Sequence, residues 1–226
     1  MKTLNFLKLT AAMLLGICLL NLPAMAQQKL ETKINDSKEV LAEFGKMKES
    51  IPHQLLQDTH GIIIIPKMIN AGLVVGGKRG KGVALAKGAD GKWSDPVFVT
   101  LTGGSFGLQA GVQSVDLVLV IKHSETLTNI GRGSFTLGGD ISVAAGPVGR
   151  SSTASTDYKF QAEVYSYSRS RGLFAGISLN GASLSVDAKS NTEFYGKDSA
   201  SATIFAQSKN PTASVKELKA TLEGLY

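Results

Sequence analysis

Residues Gly103–Ile121 read GGSFGLQAGVQSVDLVLVI. From Phe106 onward, Phe106, Leu108, Ala110 and Val112 alternate with Gly107, Gln109 and Gly111, a period of two that belongs to a strand and not to a helix. Val115–Ile121 is apolar apart from Asp116, as expected of a second strand covered on both faces. The link Gln113-Ser114 is short enough for a hairpin between them. The middle of the chain is therefore read as a β core, with the remainder as its cover.

Working outward, Gly61-Ile62-Ile63-Ile64-Ile65-Pro66 is another buried strand, because four β-branched side chains in a row favour the pleated backbone and offer nothing polar to water. Gly72–Gly77 and Gly82–Lys87 predict two strands around a turn at Lys78-Arg79-Gly80-Lys81, and Val97–Leu101 leads into the central stretch. Downstream, Ser124–Gly131 reads as a short capped helix. Strands are expected over 135–145, around Phe160–Val164, over 172–179 and at Ser183–Val186. Gly146–Thr156, which contains Arg150, reads as a loop. Of the 25 glycines, 21 lie between Gly61 and Gly181, several inside strands. Glycine weakens a strand unless backbones must approach closely, so the sheet should be curled.

Both flanks are helical. Leu30, Ile34, Leu41, Phe44, Met47 and Ile51 recur mostly at three- and four-residue intervals against a mixed-charge face, and Pro52 ends that helix before a short one at His53–Gln57. Ser199–Gln207 and the row Val215, Leu218, Leu222 close the chain. The expected fold is α+β: a Gly-rich, mainly antiparallel, barrel-like sheet with an N-terminal amphipathic helix and C-terminal helices. An outer-membrane barrel is rejected, since the last segment has helical spacing and the strands lack even lengths and aromatic girdles.

Residues 1–26 have the parts of a secretory leader: Lys2 and Lys8, an apolar core Leu9–Leu22, and Ala24-Met25-Ala26 as a cleavage site. The expectation is an exported protein of the periplasm or cell envelope, cleaved after Ala26, with 27–226 as a single domain. The one cysteine, Cys18, falls inside that leader, which leaves no disulfide or thiolate chemistry after cleavage. The net charge is +6. Losing Lys2 and Lys8 would leave 22 of the 24 basic residues against 18 acidic ones, a net +4. Such a mild surplus suits anionic head groups and excludes a nucleic-acid reading.

Two catalytic patterns occur in the wrong context. Gly72–Lys78 fits G-x-x-x-x-G-K, but Arg79 replaces the magnesium-binding Ser or Thr, and the stretch alternates like a strand. Gly103–Gly107 fits G-x-S-x-G, with Asp116 and His123 downstream, yet the residues after Ser105 continue as a strand where a nucleophile elbow needs a helix. A serine hydrolase using Ser105 stays a remote alternative. His53, His60 and His123 have no metal spacing. No catalytic residue, metal or cofactor is expected.

The succession Gly61–Pro66, Gly72–Gly77, Trp93-Ser94-Asp95-Pro96, Gly103–Gly111, Asp116–Val120, Leu137-Gly138-Gly139-Asp140, Ala144–Arg150, Tyr165–Ser168, Gly172–Gly176 and Phe194-Tyr195-Gly196 resembles the SYLF lipid-binding domain family, also described as actin-binding in fungal members. The match runs from about Leu41 to Lys197. The resemblance implies a non-enzymatic module that binds phosphoinositide-type membranes, with the amphipathic N-terminal segment implicated, and that works beside actin. For an exported, bacterial-type, single-domain member, lipid binding is the expectation and actin an unlikely partner. The alternative is an envelope scaffold without a lipid site. Candidate lipid-binding residues are Lys78, Arg79 and Lys81 on the predicted turn, together with Leu30, Ile34, Leu41 and Phe44 on the helix face. That face either lies on a membrane or packs on its own domain, and its mixed charge favours packing.

Overall fold

The computed structural model describes residues 22–47, 50–146, 162–174, 177–196, 199–206 and 211–226. Most of the expected leader 1–26, Cys18 within it, and most of the expected loop around Arg150 lie outside them. The elements run α1 (Leu22–Lys46), α2 (His53–Gln57), β1 (Gly61–Ala86), β2 (Val97–Ile121), α3 (Ser124–Arg132), β3 (Ser134–Leu137), β4 (Val143–Ala145), β5 (Val164–Ser170), β6 (Leu173–Phe174), β7 (Ala182–Val186), α4 (Ala188–Tyr195), α5 (Ser201–Ala206) and α6 (Ala213–Glu223). The fold is α+β, with a mostly antiparallel sheet that nearly closes into a barrel.

β1 and β2 form one antiparallel ribbon, paired from Gly61↔Ile121 to Ala84↔Val97. The expected turns at Lys78–Lys81 and Gln113-Ser114 do not exist as turns. Lys81 pairs with Thr100 and Asn70 with Gln113, so the ladder continues through both sites. Instead the ribbon as a whole doubles over at an elbow around Gly72–Gly76, with register shifts between Ile65 and Met68 and between Leu73 and Val75. A Cβ on Gly76 would run into the Ala71 carbonyl, so the bend needs glycine there. After the bend the second half of β1 lies alongside the first. The Lys87 N–H donates to the His60 carbonyl at 2.8 Å. A Cβ on Gly82 would strike the Ile64 carbonyl oxygen. Local periodicity registers two strands and a break at such a bend, whereas the pairing runs on through it.

Doubling over buries both faces of the ribbon. Ile62, Ile64, Val83, Leu85, Phe98, Val118 and Val120 meet α1, α2 and α6 in an outer layer. Ile63, Ile65, Met68, Ala84, Val97, Val99, Leu101, Leu117 and Leu119 form the inner layer, which Leu127 and Ile130 of α3 and Ile204 of α5 complete. The run of four isoleucines is thereby explained, each being worth roughly 1.5–3 kcal/mol on full burial. β2 is the hub: beyond β1 it pairs with β7 at Val99–Thr102 and with β5 at Asp116–Ile121. Where β7 stops, Asn191 stands in for a strand. Its Oδ1 accepts from the Phe98 N–H at 2.9 Å and its Nδ2 donates to the Phe98 carbonyl at 3.1 Å.

The remaining expectations fared unevenly. The helices at 53–57 and 124–132 and the strand at 182–186 lie close to where the sequence put them. The strand expected over 135–145 is split into β3 and β4 by a turn, and among the described residues of 172–179 only Leu173–Phe174 is strand. The helix α4 carried no periodicity strong enough to announce it.

Gly82→Ala should cost on the order of 3 kcal/mol, because backbone and not a flexible side chain occupies the space. Gly77→Ala, whose Cβ would meet only the Gly103 carbonyl at 3.7 Å, should be near neutral. Thermal unfolding followed by circular dichroism checks the pair, with a fall of about 10 °C expected for the first variant alone.

Candidate functional site

On α1 the buried positions Leu30, Ile34, Ser37, Val40, Leu41 and Phe44 recur every three or four residues and form one stripe. All five apolar members belong to the outer layer with Val215, Leu218 and Leu222 of α6. The predicted face Leu30, Ile34, Leu41 and Phe44 is thus packed on its own domain. Polar ties reinforce it. Lys38 Nζ meets Glu217 at 2.6 Å, Lys67 Nζ meets Asp36 at 3.1 Å, and Ser214 hydrogen-bonds Glu31. Arg169, whose guanidinium lies 5.9 Å from the centre of the Phe44 ring, reaches Glu43 at 3.4 Å and Asp116 at 2.9 Å.

The predicted basic tip is a strand, and its three cations separate. Lys78 points inward and is buried, with its ammonium donating to the Ser178 carbonyl. Arg79 and Lys81 point outward and are exposed, and Lys81 meets Asp187 at 2.6 Å. Each heads a row of hydroxyls across the bare part of the sheet: Arg79–Thr102–Ser183–Thr136 and Lys81–Thr100–Ser185–Ser134.

Sequence reasoning missed what the elbow brings to this face. Lys33 of α1 has its pKa pushed down by burial, and the positive charges of Lys67, Lys29 and Lys81 push it the same way against Asp36. Lys29, Lys33, Lys67 and Lys81 therefore form one cluster from α1 and both halves of β1, and Arg79 lies two residues beyond Lys81 on the same strand face. Against it stand the Asp36 pair with Lys67 and the Asp187 pair with Lys81, and Asp36, Glu39 and Asp116 hold the Lys67 pKa up. In sequence these cations are up to fifty-two positions apart, and no local pattern joins them.

The hydrolase pattern does not assemble. Ser105 pairs with Gly76 inside β2, Asp116 is held by Arg169 and by the Lys67 N–H at 2.9 Å, and His123 is an exposed residue at the start of α3. Gly72–Lys78 likewise stays within β1, with no helix after it. Among the described residues no three His, Cys, Asp or Glu side chains converge on a metal position.

A family model described as Las17-binding protein actin regulator, Ysc84, matches residues 102–225. The chain belongs to the Ysc84 family. It is 32% identical over 203 residues to the SH3 domain-containing YSC84-like protein 1 of Xenopus laevis, covering 86% of this chain and 60% of that one. It is 33% identical over 213 residues to LAS seventeen-binding protein 3 of Saccharomyces cerevisiae, covering 90% and 46%. With the YSC84-like protein 1 of Bos taurus it shares 33% over 186 residues, 79% and 54% of the two chains. The chain thus spans roughly half the length of these relatives.

The Ysc84 domain is non-enzymatic, a module of proteins named for binding and regulation. Two expectations are corrected by the same findings. These relatives are frog, yeast and cattle proteins, which overturns the reading of an exported, bacterial-type envelope or periplasmic member with a leader cleaved after Ala26. The expectation that actin is an unlikely partner falls to the family's own description as an actin regulator.

Two outcomes follow. Deleting residues 27–50 uncovers the outer layer, so the truncated chain should lack a cooperative melting transition by circular dichroism. Burial also pushes the Lys78 pKa down from its ordinary 10.5. Between the depressed value and 10.5 the unfolded chain holds the proton and the folded one does not, so stability rises with pH through that window. Lys78→Met should remove that rise, so that in denaturant titrations the parent gains stability relative to the variant as pH increases.

Proposed function

We propose that this domain is the module through which an actin-regulatory protein meets anionic phospholipid. The supporting observation is the cluster Lys29, Lys33, Lys67, Arg79 and Lys81, held on rigid elements beside two rows of hydroxyls. Burial, and then the charges of Lys67, Lys29 and Lys81, push the Lys33 pKa down, and an anionic surface relieves that repulsion. The hydroxyl rows offer donors and acceptors to phosphate and polyol groups of a phosphoinositide-type head group. In this reading Lys78, being buried, carries no part of the contact. The apolar face of α1 holds the helix in place so that Lys29 and Lys33 are presented. The resemblance to the relatives supplies the actin setting.

Each basic residue at an anionic surface contributes about 1 kcal/mol, so Lys29→Gln, Arg79→Gln and Lys81→Gln together should weaken binding by roughly a hundredfold. Co-sedimentation with vesicles of phosphatidylserine and phosphatidylinositol phosphate, over a salt series, measures this. The parent protein should bind with a steep salt dependence and the triple variant with a shallow one. Equal binding by both, or none to anionic vesicles, refutes the reading and leaves a scaffold without a lipid site.

A further inference from the structure

Among the described side chains of the ribbon, the large apolar ones that face solvent lie near the elbow. Val75 is 67% exposed, Val112 71% and Leu173 73%, with Ile69 at 44%. Register places all four at the same end of the sheet. Ile69 pairs with Ser114 and Ala71 with Val112, while the Ser170 hydroxyl donates to the Ser114 carbonyl and Ser170 pairs with Leu173. Exposed apolar side chains are ordinary when scattered, but four gathered at one end mark a contact surface.

Charge around this end identifies the contact. Val75 lies on the same strand face as Arg79 and Lys81, four and six residues away, so at about 3.3 Å per residue Arg79 is set back by roughly 13 Å. Lys67, exposed, lies four residues before Ala71, the partner of Val112, and so is set back by a similar distance, while Arg171, also exposed, sits in the turn that joins Ser170 to Leu173. An apolar tip with cations a little over 10 Å behind it matches the depth profile of a bilayer interface, from the acyl boundary to the phosphates. A protein partner would call for no such spacing. We propose that the elbow inserts shallowly into an anionic phospholipid bilayer, with Val75, Val112 and Leu173 below the phosphates and Lys67 and Arg79 among them. The inference rests on the lipid reading above, adding depth and orientation to it. It places the hydroxyl rows at the head-group level and the 87–96 loop at the far end of the ribbon, away from the membrane.

The test is a pair of tryptophan variants of the full chain, Val112→Trp at the elbow and Lys92→Trp in the far loop, the native Trp93 being buried at 3% and a constant background. With phosphatidylserine vesicles, Val112→Trp should show a blue-shifted emission and lose about half of its added intensity when the acyl chains are brominated, while Lys92→Trp should do neither. Val75→Asp, Val112→Asp and Leu173→Asp combined should lower vesicle affinity by about tenfold or more with an unchanged melting curve, since these positions are exposed in the fold. Vesicle binding by the parent without a shift or quenching of Val112→Trp overturns the insertion and leaves the lipid reading standing. Concentration-dependent self-association abolished by the triple Asp variant, with no quenching, assigns the elbow to a second copy and also overturns the insertion. No vesicle binding by the parent overturns both.

Discussion

The approach of Gly82 to the Ile64 carbonyl oxygen is the constraint on which the rest of the molecule depends. A two-stranded ribbon of this length, left straight, would bury little and expose both its faces. Folding it at the elbow turns one hairpin into two layers and gives every isoleucine of the first run a covered side. The doubled ribbon also gives β2 free edges at two places, which β7 and β5 occupy. Helices then complete what the strands leave open, α3 and α5 on the inner layer and α1, α2 and α6 on the outer one.

The polar contacts rank themselves by burial. Lys46–Glu43 is exposed on both sides and is worth little. Lys219–Asp95, at 2.8 Å with Asp95 almost wholly covered, ties α6 to the stretch before β2, and losing either partner would strand a buried charge. Arg169 bridges α1 to β2 and β5 through Glu43, Asp116 and Phe44. These ties hold α1 against the sheet, and so hold its lysines beside those of β1. A cation cluster on a loop would spread under its own repulsion; here the framework opposes that spreading.

The classes of element and the covering helices were legible in the sequence because they obey local rules: the three-to-four spacing of Leu30, Ile34, Leu41 and Phe44, the β-branched run at Ile62–Ile65, the glycine density. What was not legible arises from one non-local event. The elbow looks like strand breaks at Lys78–Lys81 and Gln113-Ser114 when read residue by residue, since glycines and charges that normally mark turns here mark a bend and an outer face. The same event places Lys29, Lys67 and Lys81 together, and no window of sequence contains all three. Lys78 shows the cost of the local view most plainly: alternation in a strand sends it inward, whereas a turn would have left it in water. The SYLF resemblance captured the domain, and the departures argued from the first 26 residues were the part that failed against its relatives.

The packing of α1 on α6 joins residues about 180 positions apart, as the Lys38–Glu217 and Glu31–Ser214 contacts show. A chain made from its N-terminus exposes the stripe Leu30, Ile34, Leu41 and Phe44 long before Val215, Leu218 and Leu222 exist to cover it. Folding of the outer layer must therefore wait until α6 is synthesised, and loop closure over that span slows it further. Until then, the first helix is an uncovered apolar surface that any chaperone or membrane in reach competes to bind.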